Sequence, residues 1–129
     1  MHSSYFAIVA ANGQSPVGEL VLSEGVSAWL FHIKFWEAIN SYCQTDFSEY
    51  EEETLTTSMI SYALGTLQDI KERTDSSSYD ISEFRYGWSG DGKELICRVD
   101  NETISRELGP LIDMLKTAQD AHLDLYCQL

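Results

Sequence analysis

Basic residues are scarce in this sequence. Its 129 residues include 8 Lys or Arg against 21 Asp or Glu, which gives a formal net charge of −13. A protein that binds the phosphate backbone of nucleic acid needs a basic face to displace counterions, and an anionic membrane surface attracts the same kind of face. The composition therefore argues against direct nucleic-acid or membrane binding, and it favours a cationic partner.

Long apolar runs and cysteine pairs are also missing. No run approaches the roughly 18 to 20 apolar residues of a membrane span, and Met1–Ala11 lacks the positive charge and apolar length of a secretory signal. The three cysteines, Cys43, Cys97 and Cys127, are widely spaced without a CxxC pair, so we interpret them as reduced thiols. These features predict a cytoplasmic protein.

Proline is rare, with two residues in the chain, and 43% of all residues are hydrophobic. This composition is too apolar for a disordered segment. A chain of this length has enough residues for one core of useful size but not for two. We therefore predict a single domain over residues 1–129.

Motifs of common enzymes and metal sites are absent as well. The chain contains no P-loop, no dinucleotide-binding glycine motif, no zinc-protease motif and no EF-hand spacing. His32 and Cys43 stand eleven residues apart on one predicted helix, about three turns, which is too far for direct contact. We therefore predict a protein that is not an enzyme and that needs neither cofactor nor metal.

Two pairs of strand-like segments are present, each separated by a turn that contains glycine. The first pair is Tyr5–Val9 and Gly18–Leu22, and the second is Glu83–Trp88 and Lys93–Val99. Short β-type runs around such turns are typical of hairpins. The polar–aromatic alternation of Glu83–Trp88 further predicts that its three aromatic side chains share one face, which is more typical of a core than of an exposed surface.

Three helices are predicted from apolar residues at one-face spacing. They cover about Ser27–Cys43 with Ser27 as the cap, about Thr54–Arg73, and the residues from about Asn101 onward to Leu125, with a possible break at Gly109-Pro110. The element order β-β-α-α-β-β-α predicts an α+β fold, in which a small antiparallel sheet of two hairpins packs against about three helices.

Acidic residues are concentrated between Lys34 and Lys71, an interval without any basic residue. The densest part mixes five acids with two aromatic residues, and its members are Asp46, Phe47, Glu49, Tyr50, Glu51, Glu52 and Glu53. We call residues 46–53 the acidic–aromatic segment. Neighbouring carboxylates diverge and no glycine folds them around an ion, so we predict no metal here.

Two interpretations of the acidic–aromatic segment remain open. In the structural one, Glu51–Glu53 lie in the first turn of the second helix, where the helix dipole favours anions, and Phe47 and Tyr50 fold inward. In the functional one, the acids steer a basic partner and Tyr50 or Phe47 anchors the contact. The charge of the whole chain raises the weight of the second interpretation.

The small size, the acidity and the acidic–aromatic segment together resemble the bacterial immunity proteins of contact-dependent growth inhibition and related polymorphic-toxin systems. The resemblance is one of class and covers no diagnostic motif, so no family residues are carried over. It implies a cytoplasmic protein that binds a cognate toxin domain, frequently a basic nuclease, and is itself a monomer or weak dimer when free.

Two other classes stay open. Type III secretion chaperones are also small, acidic α+β proteins, although they typically begin with a helix, whereas this chain begins with the strand-like Tyr5–Val9. A small-molecule-binding domain would need polar groups that converge in a pocket, which a single sequence does not reveal.

Overall fold

The computed structural model describes residues 1–11, 13, 16–77 and 80–129. Six strands and four helices occur within these residues, and the architecture is α+β as predicted. In chain order they are β1 (Tyr5–Ile8), β2 (Gly18–Val21), α1 (Glu24–His32), α2 (Phe35–Cys43), β3 (Glu52–Leu55), α3 (Thr57–Asp75), β4 (Ile81–Trp88), β5 (Glu94–Asp100), α4 (Asn101–Ala121) and β6 (Leu125–Gln128).

The strands form two antiparallel sheets rather than the single sheet that we predicted. Both predicted hairpins are present, as β1–β2 and β4–β5, but they belong to different sheets. Strands β1 and β2 join a four-stranded sheet of order β2-β1-β6-β3, whereas β4 and β5 pair only with each other. The sequence analysis missed β6. This strand pairs with β1 on one edge and with β3 on the other, and so completes the four-stranded sheet without the β4–β5 hairpin.

Strands β3 and β6 replace parts of two predicted helices. The helix predicted from Thr54 begins at Thr57, since Glu52–Leu55 pairs with Leu125–Gln128 instead. Helix α4 ends at Ala121, where His122 adopts a left-handed conformation (φ 55°) and closes the last turn. His122 therefore lies at an exposed helix end.

The first predicted helix is two helices. The chain turns at Lys34, whose left-handed backbone (φ 66°) separates α1 from α2. The N-cap of α1 is Ser23, which accepts a hydrogen bond from the Val26 backbone, and not Ser27 as predicted. Ser27 is buried instead. Its hydroxyl accepts the Ser4 backbone N–H at 2.9 Å, and this hydrogen bond joins the N-terminal segment to α1.

Helix α4 continues through Pro110, where the sequence suggested a break. The proline ring is exposed, while Leu108 and Leu111 on either side of it are buried. Because these leucines pack in the core, tertiary contacts keep the helix continuous despite the missing proline N–H.

One cluster of buried side chains joins the helices to the inner faces of both sheets. Phe6 of β1, Trp36 of α2 and Phe47 of the acidic–aromatic segment form an aromatic column, with ring centroids 6.2 and 5.2 Å apart. Phe84 of β4 stacks on His32 of α1 at 4.4 Å. The helices thus cover the inner face of the four-stranded sheet and leave its outer face to solvent.

The three aromatic residues of β4 do not share one face. The register shifts between Arg85 and Gly87, so that Tyr86 is an extra residue in a β-bulge. Phe84 pairs with Cys97 and Trp88 with Glu94, and residues three apart on β5 point to opposite faces. Phe84 is therefore buried, whereas Trp88 is exposed on the outer face of the hairpin.

Asp100 provides a test of the helix boundaries. Its carboxylate accepts the Thr103 backbone N–H at 2.6 Å as the N-cap of α4, and hydrogen bonds from the side chain and backbone of Thr103 hold its pKa below the ordinary value. We expect Asp100→Ala to lower the free energy of unfolding at pH 7, because the N-cap hydrogen bond is lost, and Asp100→Ser to retain most of the wild-type stability, because serine also caps helices.

Urea unfolding at several pH values measures this effect. Because the folded-state pKa is depressed, the contribution is present above the ordinary aspartate pKa and is lost as the pH falls through the folded value. The gap between wild type and Asp100→Ala should therefore narrow in acid. Asp113→Ala, in the exposed middle of the same helix, is the control, and an equal loss in both variants would contradict the capping role.

Candidate functional site

The acidic–aromatic segment is a loop that connects α2 to β3 and is held by Asn40. The Asn40 side chain accepts the Phe47 backbone N–H at 2.6 Å and donates to the Phe47 carbonyl at 2.9 Å. It also accepts the Thr45 hydroxyl at 2.9 Å. One half-buried amide therefore fixes the backbone from which the acidic residues project.

The two aromatic residues of the segment have different roles. Phe47 is 3% exposed and stacks on Trp36, so it belongs to the core and we remove it from the predicted contact surface. Tyr50 is 70% exposed and has a left-handed backbone (φ 65°). Its ring stacks on His2 at 4.2 Å, so Tyr50 is an exposed ring beside β3 that covers a half-buried histidine.

The acids of the segment are exposed or half-buried, but they do not share one face. Asp46 and Glu49 are exposed on the loop, and Glu49 lines a cleft of about 200 Å³ together with Phe31 and Tyr86. Glu51 precedes β3, and its carbonyl accepts the Leu129 backbone N–H at 3.0 Å.

Glu52 and Glu53 lie on β3 and not in a helical first turn, which corrects the structural interpretation of Glu51–Glu53. Glu53 pairs with buried Cys127, and Glu52 pairs with exposed Gln128. Because successive residues of a strand point to opposite faces, Glu52 and Glu53 diverge. Of the two, Glu52 alone projects from the outer face of the sheet.

Glu52 meets a group of side chains that sequence reasoning did not bring together. Glu52 lies close enough to Tyr126 of β6 to help raise the pKa of its phenol, and the Tyr126 and Tyr5 rings meet edge-on with centroids 6.2 Å apart. The Tyr5 hydroxyl donates to the Glu19 carboxylate at 2.6 Å. Two tyrosines on the central strands are thus flanked by one glutamate on each edge strand.

We call the outward-facing residues of this sheet the acidic sheet face. The strand register gives its members as Tyr5, Ala7, Glu19, Val21, Glu52, Thr54, Tyr126 and Gln128. Buried residues alternate with half-buried or exposed ones along β6, and the matching alternation of residue types over Leu125–Gln128 is the signal that sequence analysis could have used. The pairing of strands from both ends of the chain had no such local signal.

Both tyrosines of this face are neutral at pH 7. The hydrogen bond to Glu19 is the main reason that the pKa of Tyr5 is raised above its ordinary value. Loss of hydration is the main reason for the raised pKa of Tyr126, followed by its hydrogen bond to Glu52. In the Tyr5–Glu19 pair the phenol is the donor and the carboxylate is the acceptor.

Positive charge is segregated away from the acidic sheet face. None of the four strands of the sheet contains a Lys or Arg. In the described part of the chain, ion pairs occur on helices and on the β4–β5 hairpin, and they are Lys34–Glu37, Lys71–Asp75, Arg73–Asp69, Arg85–Glu94, Lys93–Asp91 and Arg98–Glu83. None of these ion pairs involves an acid of the acidic sheet face or of the acidic–aromatic segment.

Comparisons with protein-family models, with curated protein sequences and with solved structures gave no match to this chain. Within the described residues, no three His, Cys, Asp or Glu side chains are grouped so that they could hold a metal ion. No helix among them has the length and apolar character needed to cross a bilayer.

The Tyr5–Glu19 bond can be tested by titrating the tyrosines. We expect Glu19→Gln to lower the pKa of Tyr5 toward its ordinary value, because the charged acceptor is removed, and to leave that of Tyr126 unchanged. In the wild type the raised pKa stabilises the fold below the ordinary tyrosine pKa, and this contribution is lost as the pH rises through the folded value.

NMR of labelled tyrosine rings between pH 8 and about pH 12 resolves the individual phenols, whose ordinary pKa is about 10. Glu24→Gln is the matched control, since Glu24 is an exposed acid on α1. A Tyr5 titration that is the same in wild type and in Glu19→Gln would contradict the geometry of the acidic sheet face.

Proposed function

We propose that this protein is an immunity protein that binds and neutralises a cognate, basic nuclease-type toxin domain without catalysis. The contact surface in this proposal is the acidic sheet face together with the exposed Tyr50 and the acids around it. The observation that carries the proposal is the segregation of charge: basic residues are absent from the four-stranded sheet, which presents glutamates at both edges.

Charge segregation first supports a fast encounter. The field of a chain with a net charge of −13 attracts a cationic domain over about a Debye length, roughly 8 Å at physiological salt. A base-free side gives that attraction a direction, because the helices carry bases as well as acids and some of those acids are already ion-paired, as Asp75 is with Lys71 and Asp69 is with Arg73. Steering of this kind raises association rates and weakens with salt.

Tyrosines then supply the short-range contact. Tyr5 is held in place by its hydrogen bond to Glu19, and Tyr126 packs edge-on against Tyr5, so the two rings lose little conformational freedom when a partner covers them. A carboxylate has more lone-pair sites than one tyrosine uses, which leaves room for an arginine or lysine of the partner. Tyr50 adds an exposed ring at the margin of the same sheet.

The toxin would be neutralised because the acidic surface covers the basic residues that it uses to bind nucleic acid. A nuclease binds phosphates through basic residues, and carboxylates held on a rigid sheet compete for those residues. The same reasoning requires no cofactor and no catalytic group on this chain. We propose that it acts in the cytoplasm, where its cysteines, which form no disulfide in the structure, would remain reduced.

Two variants of equal charge test the proposal. The face variant carries Glu19→Gln and Glu52→Gln, and the control carries Glu72→Gln and Asp113→Asn on exposed positions of α3 and α4. Each loses two negative charges, so a difference between them reports location. We expect the face variant to associate with the toxin domain about three- to tenfold more slowly at low salt, with a shallower salt dependence.

The partner is first obtained by affinity capture from the native strain at low and moderate salt, followed by mass spectrometry. Stopped-flow or surface-plasmon kinetics then compare wild type, face variant and control. Growth arrest by the captured domain expressed alone, relieved by co-expression of the wild type, supports neutralisation. Equal rates for both variants, or retention of an unfolded effector segment that is insensitive to salt, would contradict the proposal and favour a chaperone.

A further inference from the structure

The outer face of the β4–β5 hairpin is a second exposed surface with a different chemistry. Trp88, Ile81 and Ile96 on this face are 57%, 50% and 45% exposed, so no described element covers them. The opposite face of the hairpin packs against α1, with Phe84 on His32 and Val99 beside Gly25. The hairpin is therefore fixed from one side and open on the other.

The β-bulge at Tyr86 is what puts Trp88 on the open face. If the same residues formed a regular strand without the bulge, Trp88 would point to the same side as Phe84, into the core, because residues four apart share a face. On the open face the Arg85 guanidinium lies over the Trp88 ring, 4.6 Å from its centroid. The indole is thus held in one orientation while most of its surface stays in water.

Charges on this face are balanced across the strands. Glu83 pairs with Arg98 at 3.0 Å, and Arg85 reaches Glu94 at 3.4 Å. Residues 81–100 contain four acids and three bases, a net charge of −1, which leaves −12 of the chain's −13 to all other residues. The hairpin is therefore a nearly neutral surface on a strongly acidic protein.

We propose that the outer face of the β4–β5 hairpin binds the same face of a second copy of this chain. A cationic partner is attracted to the base-free side and gains little at a neutral face, whereas two copies of this chain repel each other wherever their acidic surfaces approach. At the hairpin, that repulsion is smallest and the exposed apolar residues are available. In a two-fold arrangement the acids of one face also meet the bases of the other.

The size of the face sets the strength of this contact. Eight residues of strand span about 27 Å and two strands about 10 Å, so each copy buries only a few hundred Å². This is below the ~800 Å² per partner of a stable interface. We therefore expect a weak, reversible dimer with a dissociation constant of about 100 μM to 1 mM.

Tryptophan fluorescence and sedimentation equilibrium test the proposal together. Trp29 and Trp36 are buried, whereas Trp88 is exposed, so burial of Trp88 in a dimer shifts the emission to the blue as the protein concentration rises. Over about 20 μM to 2 mM, we expect this shift to follow the increase in mass. Raising salt from about 50 to 500 mM should tighten the dimer several-fold, because it screens the repulsion between copies.

A hairpin variant, Trp88→Thr with Ile96→Thr, leaves the net charge unchanged and should stay monomeric by sedimentation over the whole range. The single variant Ile96→Thr keeps Trp88 as the reporter and should reduce the blue shift. The matched control, Val9→Thr with Val17→Thr, removes two exposed apolar residues outside the hairpin and should dimerise like the wild type. Thermal unfolding checks that all variants are folded.

Three results would overturn the proposal. The first is a wild type that stays monomeric at 2 mM. The second is a dimer that the hairpin variant does not weaken. The third is that wild type and hairpin variant are both monomeric but the variant loses a captured protein partner, which would assign the face to that partner. Binding to a cationic toxin weakens with salt, whereas this dimer strengthens, so the two proposals fail or succeed independently.

Discussion

The insertion of β6 between β1 and β3 is the interaction on which the rest of this structure depends. It joins residues 5–8, 52–55 and 125–128, from both ends and the middle of the chain, in one hydrogen-bonded sheet. Leu125 and Cys127 of β6 are fully buried by the helices, and burial also raises the pKa of the Cys127 thiol. Without β6, β1 and β3 would have no common neighbour and the two tyrosines would not meet.

That sheet also decides how charge is distributed. The strands that β6 brings together come from parts of the chain without basic residues, and the bases fall on the turn between α1 and α2, on α3, on α4 and on the hairpin. A net charge far from zero destabilises a compact state through self-repulsion. A side of the protein that gathers uncompensated acids therefore has a cost in stability, which a cationic partner would remove on binding.

The acidic–aromatic segment combines both interpretations that its sequence allowed. Phe47 packs on Trp36 and holds the segment to the core, as the structural interpretation expected for it. Tyr50 and the acids stay outside, as the functional interpretation requires. Asn40 makes this division possible, because its amide satisfies the backbone on both sides of Phe47.

The sequence by itself determined the α+β class, both hairpins and the amphipathic helices α3 and α4, because composition, turn residues and apolar spacing are local properties. Of the acidic sheet face it identified Glu52 but not Glu19, Tyr5 or Tyr126. Only the tertiary structure decided the break at Lys34, the bulge that turns Trp88 outward, and the sheet that joins residue 52 to residue 128. These features depend on hydrogen bonds and packing between distant residues, and such contacts leave no periodicity in the chain that forms them.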